Sequence, residues 1–422
     1  MNSTAKRPCL LAMLVLCFGA CLHAQDTLHL TLPEAEQAFM QKNLLLLAQH
    51  YNIDIARAQV IQAKLYANPN FQVTGDLYNP DQKKAFDVSN KTGEYIIGAQ
   101  QLIILAGKRN KQIKLAQTNI TLQENQFFDL LRTLRFSLRS DFYQLYFLQN
   151  SISSYGLQIG YLENLNTAYQ SMLAKGLVTL KDAVRIKSLL YSLKAEQTTL
   201  QNQVNDINAE LQQLIQNNRA YIIPVANDLP TSSVFDRYAL SSLLDSAYKN
   251  RFDLILAQNT LLSSQQNYAL QKALATPDLT AGLQFDKRGS FVENASFFTL
   301  AMDLPFFNRN QGNIKAAKIG IDQSKMRVDQ RQAVVENEVQ TAYTKAITTE
   351  KMLSSFDPAF KDELQRLLVG ITENFQKKNI SLLDFTDFYE SYKQNILQFN
   401  QLQNQRMQAI ETLQFAIGKT IF

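Results

Sequence analysis

The chain has 422 residues, of which 46% are hydrophobic and 19% charged, with 14 glycines and 9 prolines. Compact domains use glycine and proline in their many turns, so this composition indicates few, long elements rather than two or three globular domains. The formal net charge of +5 is small and spread along the chain, which excludes charge-driven disorder and gives no support for nucleic-acid binding.

The first 24 residues have the pattern of a secretory signal peptide. Lys6 and Arg7 precede an apolar run over residues 10–22, and the small residue Ala24 ends the segment. After it, no apolar run reaches about 18 residues, so we expect no transmembrane helix. We therefore expect an exported chain whose membrane-spanning segments can only be β-strands.

The cysteines of the chain all lie in this segment, at Cys9, Cys17 and Cys21. The mature chain would then have no thiol for a disulfide or a metal site. An alternative is that Cys21, which follows the tripeptide Phe-Gly-Ala, becomes a lipidated N-terminus.

A weak internal repeat organises the rest of the sequence. Residues 45–49, Leu-Leu-Leu-Ala-Gln, return as Leu-Ile-Leu-Ala-Gln at 254–258, and further matches follow in order up to 211–215 and 413–417. Matches in the same order with a nearly constant offset indicate a duplication.

The duplication divides the chain into two repeats of one element order. We predict a first repeat over 25–218, a linker over 219–233 that contains Pro224 and Pro230, and a second repeat over 234–422. Each repeat reads as a helix, two strands, a long helix and a returning helix.

The first helix begins at Thr31 and Glu34, which have capping-box spacing, with Pro33 in the first turn, and we expect it to run to about Ala67. The strands that follow alternate apolar and polar residues, as a wall between lipid and water would. They are predicted at 71–77 and 95–105, with counterparts at 279–285 and 297–307.

Two long helices are predicted over 108–175 and 310–377, where apolar residues recur at helical spacing. Each has a helix-weakening pair at an equivalent point, Gly156-Leu157 and Asp357-Pro358, where we expect a kink or break. Rods of this length are typical of coiled coils and helical barrels. The returning helices are expected over 181–217 and 382–418.

Four strands of about ten residues cannot close a barrel, since single-chain barrels start at eight strands. Unpaired edges in lipid are prohibitively costly, so copies of the chain must share their strands. Three chains would supply twelve strands. An alternative is a structural, exported coiled-coil protein with two hairpins and no pore.

Together with the duplication, residues 303–310, Asp-Leu-Pro-Phe-Phe-Asn-Arg-Asn, carry a resemblance to the outer-membrane efflux protein family, of which TolC is the best-known member. These residues are similar to the family's second strand-to-helix junction. Residues 101–109 are similar to the first junction, most of all in the cation-efflux branch, although Ile103 replaces a frequent Pro. Lys378 and Asn379 stand where the second helix tip usually has Gly.

The resemblance implies a mainly α fold with a membrane β-barrel portion. It would be a TolC-like homotrimer whose 12-stranded β-barrel lies in the outer membrane of a Gram-negative bacterium and continues as a long α-helical barrel through the periplasm. The implied function is the passive exit duct of a tripartite efflux system, joined to a periplasmic adaptor protein and an inner-membrane transporter. A type I protein-secretion duct would use the same fold, and the sequence does not separate the two.

The helix tips are the first candidate site, because exposed apolar groups at a solvent-facing helix end suggest a partner surface. The alternative is that they are only turns, formed by residues that suit helix ends. The predicted adaptor-docking residues are Gly176, Leu177, Val178, Thr179 and Asp182, with Asn379, Ile380, Ser381 and Leu382 in the second repeat.

Asp384 and Asp387 are the second candidate site, a pore constriction. Acidic residues at the matching positions of the family ring the pore, and three copies would place six carboxylates around the axis, favouring cations. The alternative is that both carboxylates only complement the dipole of their helix.

The strands give the third candidate site. Polar positions are predicted to line the channel, because the opposite phase would place carboxylates in hydrocarbon. They are Gln72, Thr74, Asp76, Thr280, Gln284, Thr299 and Asp303. The positions expected to face lipid are Phe71, Val73, Leu279, Leu283, Phe298, Leu300 and Met302.

Catalytic chemistry is not expected. The remaining histidines, His29 and His50, lack metal-ligand spacing, nucleophiles lack a His partner, and no Gly-rich phosphate loop occurs. The sequence thus predicts no enzyme, no metal site and no cofactor.

Overall fold

The computed structural model describes residues 26–226, 229, 238–288, 292–357 and 359–421. The predicted signal peptide, Cys21 and most of the later part of the predicted linker lie outside them. The chain forms two compact units, and each draws segments from both halves of the sequence. Unit 1 contains the described residues of 1–43, 134–233 and 347–411, and unit 2 those of 44–133, 234–346 and 412–422.

The described chain is mostly helical. The helices are α1 (Leu32–Lys42), α2 (Leu44–Ala63), α3 (Lys108–Ala174), α4 (Leu180–Ile215), α5 (Leu240–Asn250), α6 (Phe252–Leu274), α7 (Gln311–Ser354), α8 (Phe360–Gln376) and α9 (Leu382–Ile417). The strands are β1 (Thr27–Thr31), β2 (Asn70–Gly75), β3 (Tyr78–Asn79), β4 (Lys84–Ala85), β5 (Tyr95–Ile103), β6 (Tyr221–Val225), β7 (Leu279–Arg288) and β8 (Glu293–Met302). Across these described segments, no helix combines the length and apolar character needed to cross a membrane.

The prediction of one continuous first helix is wrong, because the structure has two helices there, α1 and α2, separated at Asn43. Asn43 is buried and its backbone is extended. Its side-chain amide nitrogen, Nδ2, donates to the Leu214 carbonyl near the end of α4, at 3.0 Å. A carbonyl in the last turn of a helix has no partner within that helix. The break therefore satisfies a buried acceptor of another helix.

The same break occurs 208 residues later, at Arg251 between α5 and α6. The guanidinium of Arg251 donates to the Ala416 carbonyl near the end of α9 at 2.9 Å, as Asn43 does at the end of α4. It also pairs with Asp253 at 2.5 Å and with Glu338 at 2.6 Å. Since Arg251 is only 1% exposed, these partners offset the cost of burying its charge.

The long helices differ in continuity. The break expected at Gly156-Leu157 is wrong, because α3 continues through it from Lys108 to Ala174. The break expected at Asp357-Pro358 is confirmed, because α7 ends at Ser354 and α8 begins at Phe360. A glycine weakens a helix by about 1 kcal/mol, whereas proline removes a donor and clashes with the preceding turn, at about 3 kcal/mol.

The predicted strands form one antiparallel sheet in unit 2, in the order β2-β5-β7-β8. The fourth strand begins at Glu293, not at residue 297, and ends at Met302, so the predicted boundary was wrong. Asp76 and Asp303 were predicted within strands, but each directly follows the last residue of its strand. Among the described residues, the junction sequence after residue 302 has no partner strand to extend the ladder.

Two further pairings were not predicted. β1 and β6 pair in parallel in unit 1, so the segment assigned to the linker begins with a strand. β3 and β4 form a short hairpin in the loop between β2 and β5. Pro224 lies in the two-stranded β1-β6 pair, where a missing donor is tolerated at an edge.

A carboxyl pair in unit 1 makes the stability of the fold depend on pH. Burial raises the pKa of Asp141 from 3.8 to about 7, and the nearby Glu210 carboxylate adds to the shift. The folded chain thus keeps this proton up to about pH 7, whereas the unfolded chain loses it near pH 4. The contribution of Asp141 to the free energy of unfolding therefore falls as pH rises between these values.

We expect Asp141→Asn to raise the melting temperature by a few degrees at pH 8 and to leave it unchanged near pH 4, where both side chains are neutral. Thermal unfolding followed by circular dichroism between pH 4 and pH 8 checks this. The matched control is Asp206→Asn, an exposed carboxylate on α4. A gain at pH 8 that is equal in both variants would contradict the assignment to Asp141.

Candidate functional sites: the sheet faces and the helical tips

The register of the sheet separates the predicted polar and apolar positions onto opposite faces. Residues that pair across strands share a face, and the face alternates along each strand. Gln284 pairs with Gly98, which also pairs with Gln72, and Gly282 pairs with Thr299. The polar face therefore contains Gln72, Thr74, Thr280, Gln284 and Thr299, together with the apolar Ile96, Leu102 and Phe297.

The opposite face is mostly apolar, with Gln101 and Ser296 as its polar members among the paired residues, and it is open. It contains every position predicted to face lipid: Phe71, Val73, Leu279, Leu283, Phe298, Leu300 and Met302. Phe71 is 69% exposed, Leu283 68% and Phe298 66%. Apolar groups exposed in such a continuous patch mark an interaction surface or a membrane surface.

The turn between α3 and α4 and the beginning of α4, residues 175–188, are together named the first tip. Gly176 takes the left-handed conformation with φ 71°, and the amide of Leu177 donates to the Met172 carbonyl at 2.9 Å, closing the end of α3. Thr179 then caps α4: its hydroxyl accepts from the Asp182 amide at 3.2 Å and donates to the Asp182 carboxylate at 2.7 Å.

The turn between α8 and α9 and the beginning of α9, residues 377–390, are together named the second tip. The amide of Asn379 donates to the Asn374 carbonyl at 2.9 Å. Ser381 caps α9 through its hydroxyl, which donates to the Asp384 carboxylate at 2.7 Å. Lys378, and not Asn379, takes the left-handed conformation in this turn, with φ 61°.

The two tips thus have one hydrogen-bond frame, repeated at an offset of 202 residues. Gly176 and Lys378 are equivalent, as are Asp182 and Asp384. The frame rests on the backbone and on one hydroxyl–carboxylate pair, so it leaves most tip side chains free to vary.

The exposed apolar residues of the tips are only partly those predicted. Leu177 is exposed, as expected. Ile380 and Leu382 are half-buried against a cluster that contains the rings of Phe375 and Phe385, here named the aromatic cluster, which corrects the expectation that they are free. Val178 is half-buried as well. The exposed apolar residues that sequence reasoning missed are Leu180, Val184 and Leu383. Successive residues of a helix point about 100° apart, so only one leucine of the pair 382–383 can face the core.

The aromatic cluster lies between two helical hairpins of unit 1, one formed by α3 and α4 and the other by α8 and α9. The ring of Phe375 stacks on Phe385 at 4.4 Å and on Tyr169 at 5.9 Å. Higher up, Lys393 of α9 pairs with Glu196 of α4 at 3.1 Å. The tips therefore stand on a packed core shared by α3, α4, α8 and α9.

The two carboxylates of the predicted constriction have different surroundings. Asp384 accepts hydrogen bonds from the hydroxyl and the amide of Ser381, so it supports the cap that Ser381 forms. Asp387 is exposed and lies one turn further along α9. Asp384 has a structural role in its own helix that explains it, whereas Asp387 does not share that role.

The fold is that of outer-membrane channels. The chain is similar to a membrane protein from Pseudomonas aeruginosa (17% identity, TM-score 0.75, covering 92% of this chain and 90% of that one). It is also similar to CusC, in a structure concerned with transmembrane channel formation (17%, 0.73, 92% of each chain). The CmeC outer membrane channel of Campylobacter jejuni is similar too (12%, 0.73, 93% and 87%).

Residues 243–419 match the family model described as "Outer membrane efflux protein". The resemblance to TolC-like outer-membrane efflux channels is confirmed by this match and by the shared fold. Comparison with curated proteins by sequence found no match.

The equivalence of Gly176 and Lys378 gives a test of the tip geometry. A side chain in the left-handed conformation costs about 1 kcal/mol, and a Cβ at Gly176 would meet no other atom, so backbone strain alone decides the effect. We expect Lys378→Gly to slow hydrogen exchange of the Asn379 amide about five-fold and Gly176→Lys to speed that of Leu177 by a similar factor. Gly160→Lys, within α3, is the control and should leave both amides unchanged. Slower exchange in Gly176→Lys would refute the assignment.

Proposed function

We propose that the protein is the outer-membrane exit duct of a tripartite efflux system, a homotrimer that conducts solutes passively out of the periplasm. The observation that carries the proposal is the sheet in unit 2, with one exposed apolar face, one polar face and two unpaired edges. The shared fold of outer-membrane channels supports it.

The barrel follows from the edges. Among the described strands, nothing pairs with the outer side of β2 or of β8. Three copies joined edge to edge, β8 to β2, would close a 12-stranded barrel in which every strand has two neighbours. The apolar face would then meet outer-membrane lipid, and Gln72, Thr74, Thr280, Gln284 and Thr299 would line the channel.

The helices would form the periplasmic part. Two repeats, 25–218 and 234–422, would contribute one hairpin each, so that six hairpins in a trimer form an α-helical barrel. The tips would meet the periplasmic adaptor protein, which joins the duct to an inner-membrane transporter. The exposed Leu177, Leu180 and Leu383 support this role.

Two neighbouring residues of β7 test the membrane-facing side. We expect Leu283→Lys to reduce the amount of chain in the outer-membrane fraction strongly, because a lysine at mid-membrane costs about 2–4 kcal/mol. Gln284→Lys, on the polar face, should insert normally. Each variant replaces the natural gene in cells, and fractionation measures the amount of chain in the outer membrane. The sensitivity of the same cells to toxic ions and drugs measures efflux. Equal insertion of both variants would contradict the proposal.

Asp387 tests the constriction. We expect Asp387→Asn to lower the cation preference of the purified trimer in planar lipid bilayers, because removing three carboxylates from the pore reduces its attraction for cations. Asp384→Asn should act in the same direction. The matched control is Asp182→Asn, which changes the equivalent cap of the first tip. The reversal potential in a KCl gradient reports the preference. An unchanged value in Asp387→Asn would remove the constriction role.

A further inference from the structure

The two tips have one frame but opposite charge beside it. At the offset of 202 residues, Thr179 with Asp182 and Ser381 with Asp384 form the same cap in both tips. The positions around that cap differ in charge. Lys181, Arg185 and Lys187 of the first tip correspond to Leu383, Asp387 and Tyr389 of the second.

The cations of the first tip are not neutralised by ion pairs with the described part of the chain. Lys175, Lys181 and Arg185 are exposed, and none of them has an ion pair within the described residues. Lys187 lies over the ring of Tyr191 at 5.6 Å, which leaves its charge in place. The carboxylate of Asp182 is held by the Thr179 hydroxyl at 2.7 Å. The first tip therefore presents a net positive charge.

Apolar groups lie among these cations. Leu177 is 64% exposed, Leu180 67% and Val184 50%. Leu180 and Val184 are four residues apart and share one side of α4, and Lys181 and Arg185 lie next to them at the same spacing. This is the pattern of a surface that binds an apolar group flanked by anions.

The second tip differs in net charge. Residues 377–390 contain two cations, Lys377 and Lys378, and three carboxylates, whereas residues 175–188 contain four cations and one carboxylate. Asp387 is an exposed carboxylate at the position that Arg185 has in the first tip. Ile380 and Leu382 pack against the aromatic cluster, and Leu383 is exposed. An acidic partner would meet Asp387 there instead of Arg185.

We propose, resting on the docking function proposed above, that the first tip is the specific seat of an acidic partner segment. That segment would be a helical end of another protein that presents one or two apolar side chains between Asp or Glu residues. The second tip would not take the same segment. Charge complementarity would thus select which of the two tips a partner end occupies.

Photo-cross-linking in cells that make the full chain tests this. p-Benzoylphenylalanine replaces Leu177 in one strain and Asn379 in another, and mass spectrometry identifies the cross-linked peptides. From position 177 we expect a segment of another protein with an excess of Asp and Glu, and from position 379 a different segment. In the Lys181→Glu/Arg185→Glu background the yield from position 177 should fall about ten-fold. Charge reversal of the partner's acidic residues to Lys should restore it.

The matched control is Lys315→Glu/Lys318→Glu, which reverses two exposed lysines on α7 that belong to neither tip. A neutral or basic segment captured from position 177, or a yield unaffected by Lys181→Glu/Arg185→Glu, would overturn the proposal. A cross-link to residues 362–390 of a second copy would overturn it too, since the cations would then serve a subunit contact. If neither position gives a cross-link to another protein, docking at the tips is rejected, and with it the proposal that the first tip binds an acidic segment.

Discussion

Backbone groups at the two edges of the sheet set the terms for the rest of the molecule. Within the described chain, β2 and β8 each use only one side for pairing, while the adjoining apolar face is open. In water, such a sheet would present bare edges beside a large apolar patch, and in hydrocarbon each unpaired group would cost several kcal/mol. Both problems have the same solution, which is pairing with further copies. The proposed trimer would meet this need of the sheet.

A second constraint acts at the ends of the returning helices. Asn43 and Arg251 interrupt a helix in equivalent places, and each donates to a carbonyl that closes α4 or α9. The two residues solve one problem with different chemistry. The asparagine is neutral and needs few partners, whereas the buried arginine needs Asp253 and Glu338 as well. Equivalent positions of the two halves have thus kept their geometry while their side chains changed.

Sequence periodicity predicted the long elements well, because α3, α7 and α9 repeat one local signal over many residues. The alternation of the strands predicted the two faces of the sheet correctly, since a pairing shift of one residue would have exchanged them. The breaks at Asn43 and Arg251 could not be predicted, because their reason lies in carbonyls more than 160 residues away. The exposure of Leu383 in place of Leu382, and the left-handed Lys378, depend likewise on packing around Phe385 and on the geometry of a single turn.

The tip frame has a consequence for how such a protein can change. Its hydrogen bonds come from main-chain groups and from one small hydroxyl with its carboxylate, Thr179 with Asp182 or Ser381 with Asp384. The exposed residues between and beyond these anchors can be exchanged without rebuilding the turn, whereas Ala183 and Ile186 are buried. The exposed positions of one tip can therefore change independently of the other tip. Under the proposed docking function, a few surface substitutions in one tip would change its partner while the other tip keeps its own.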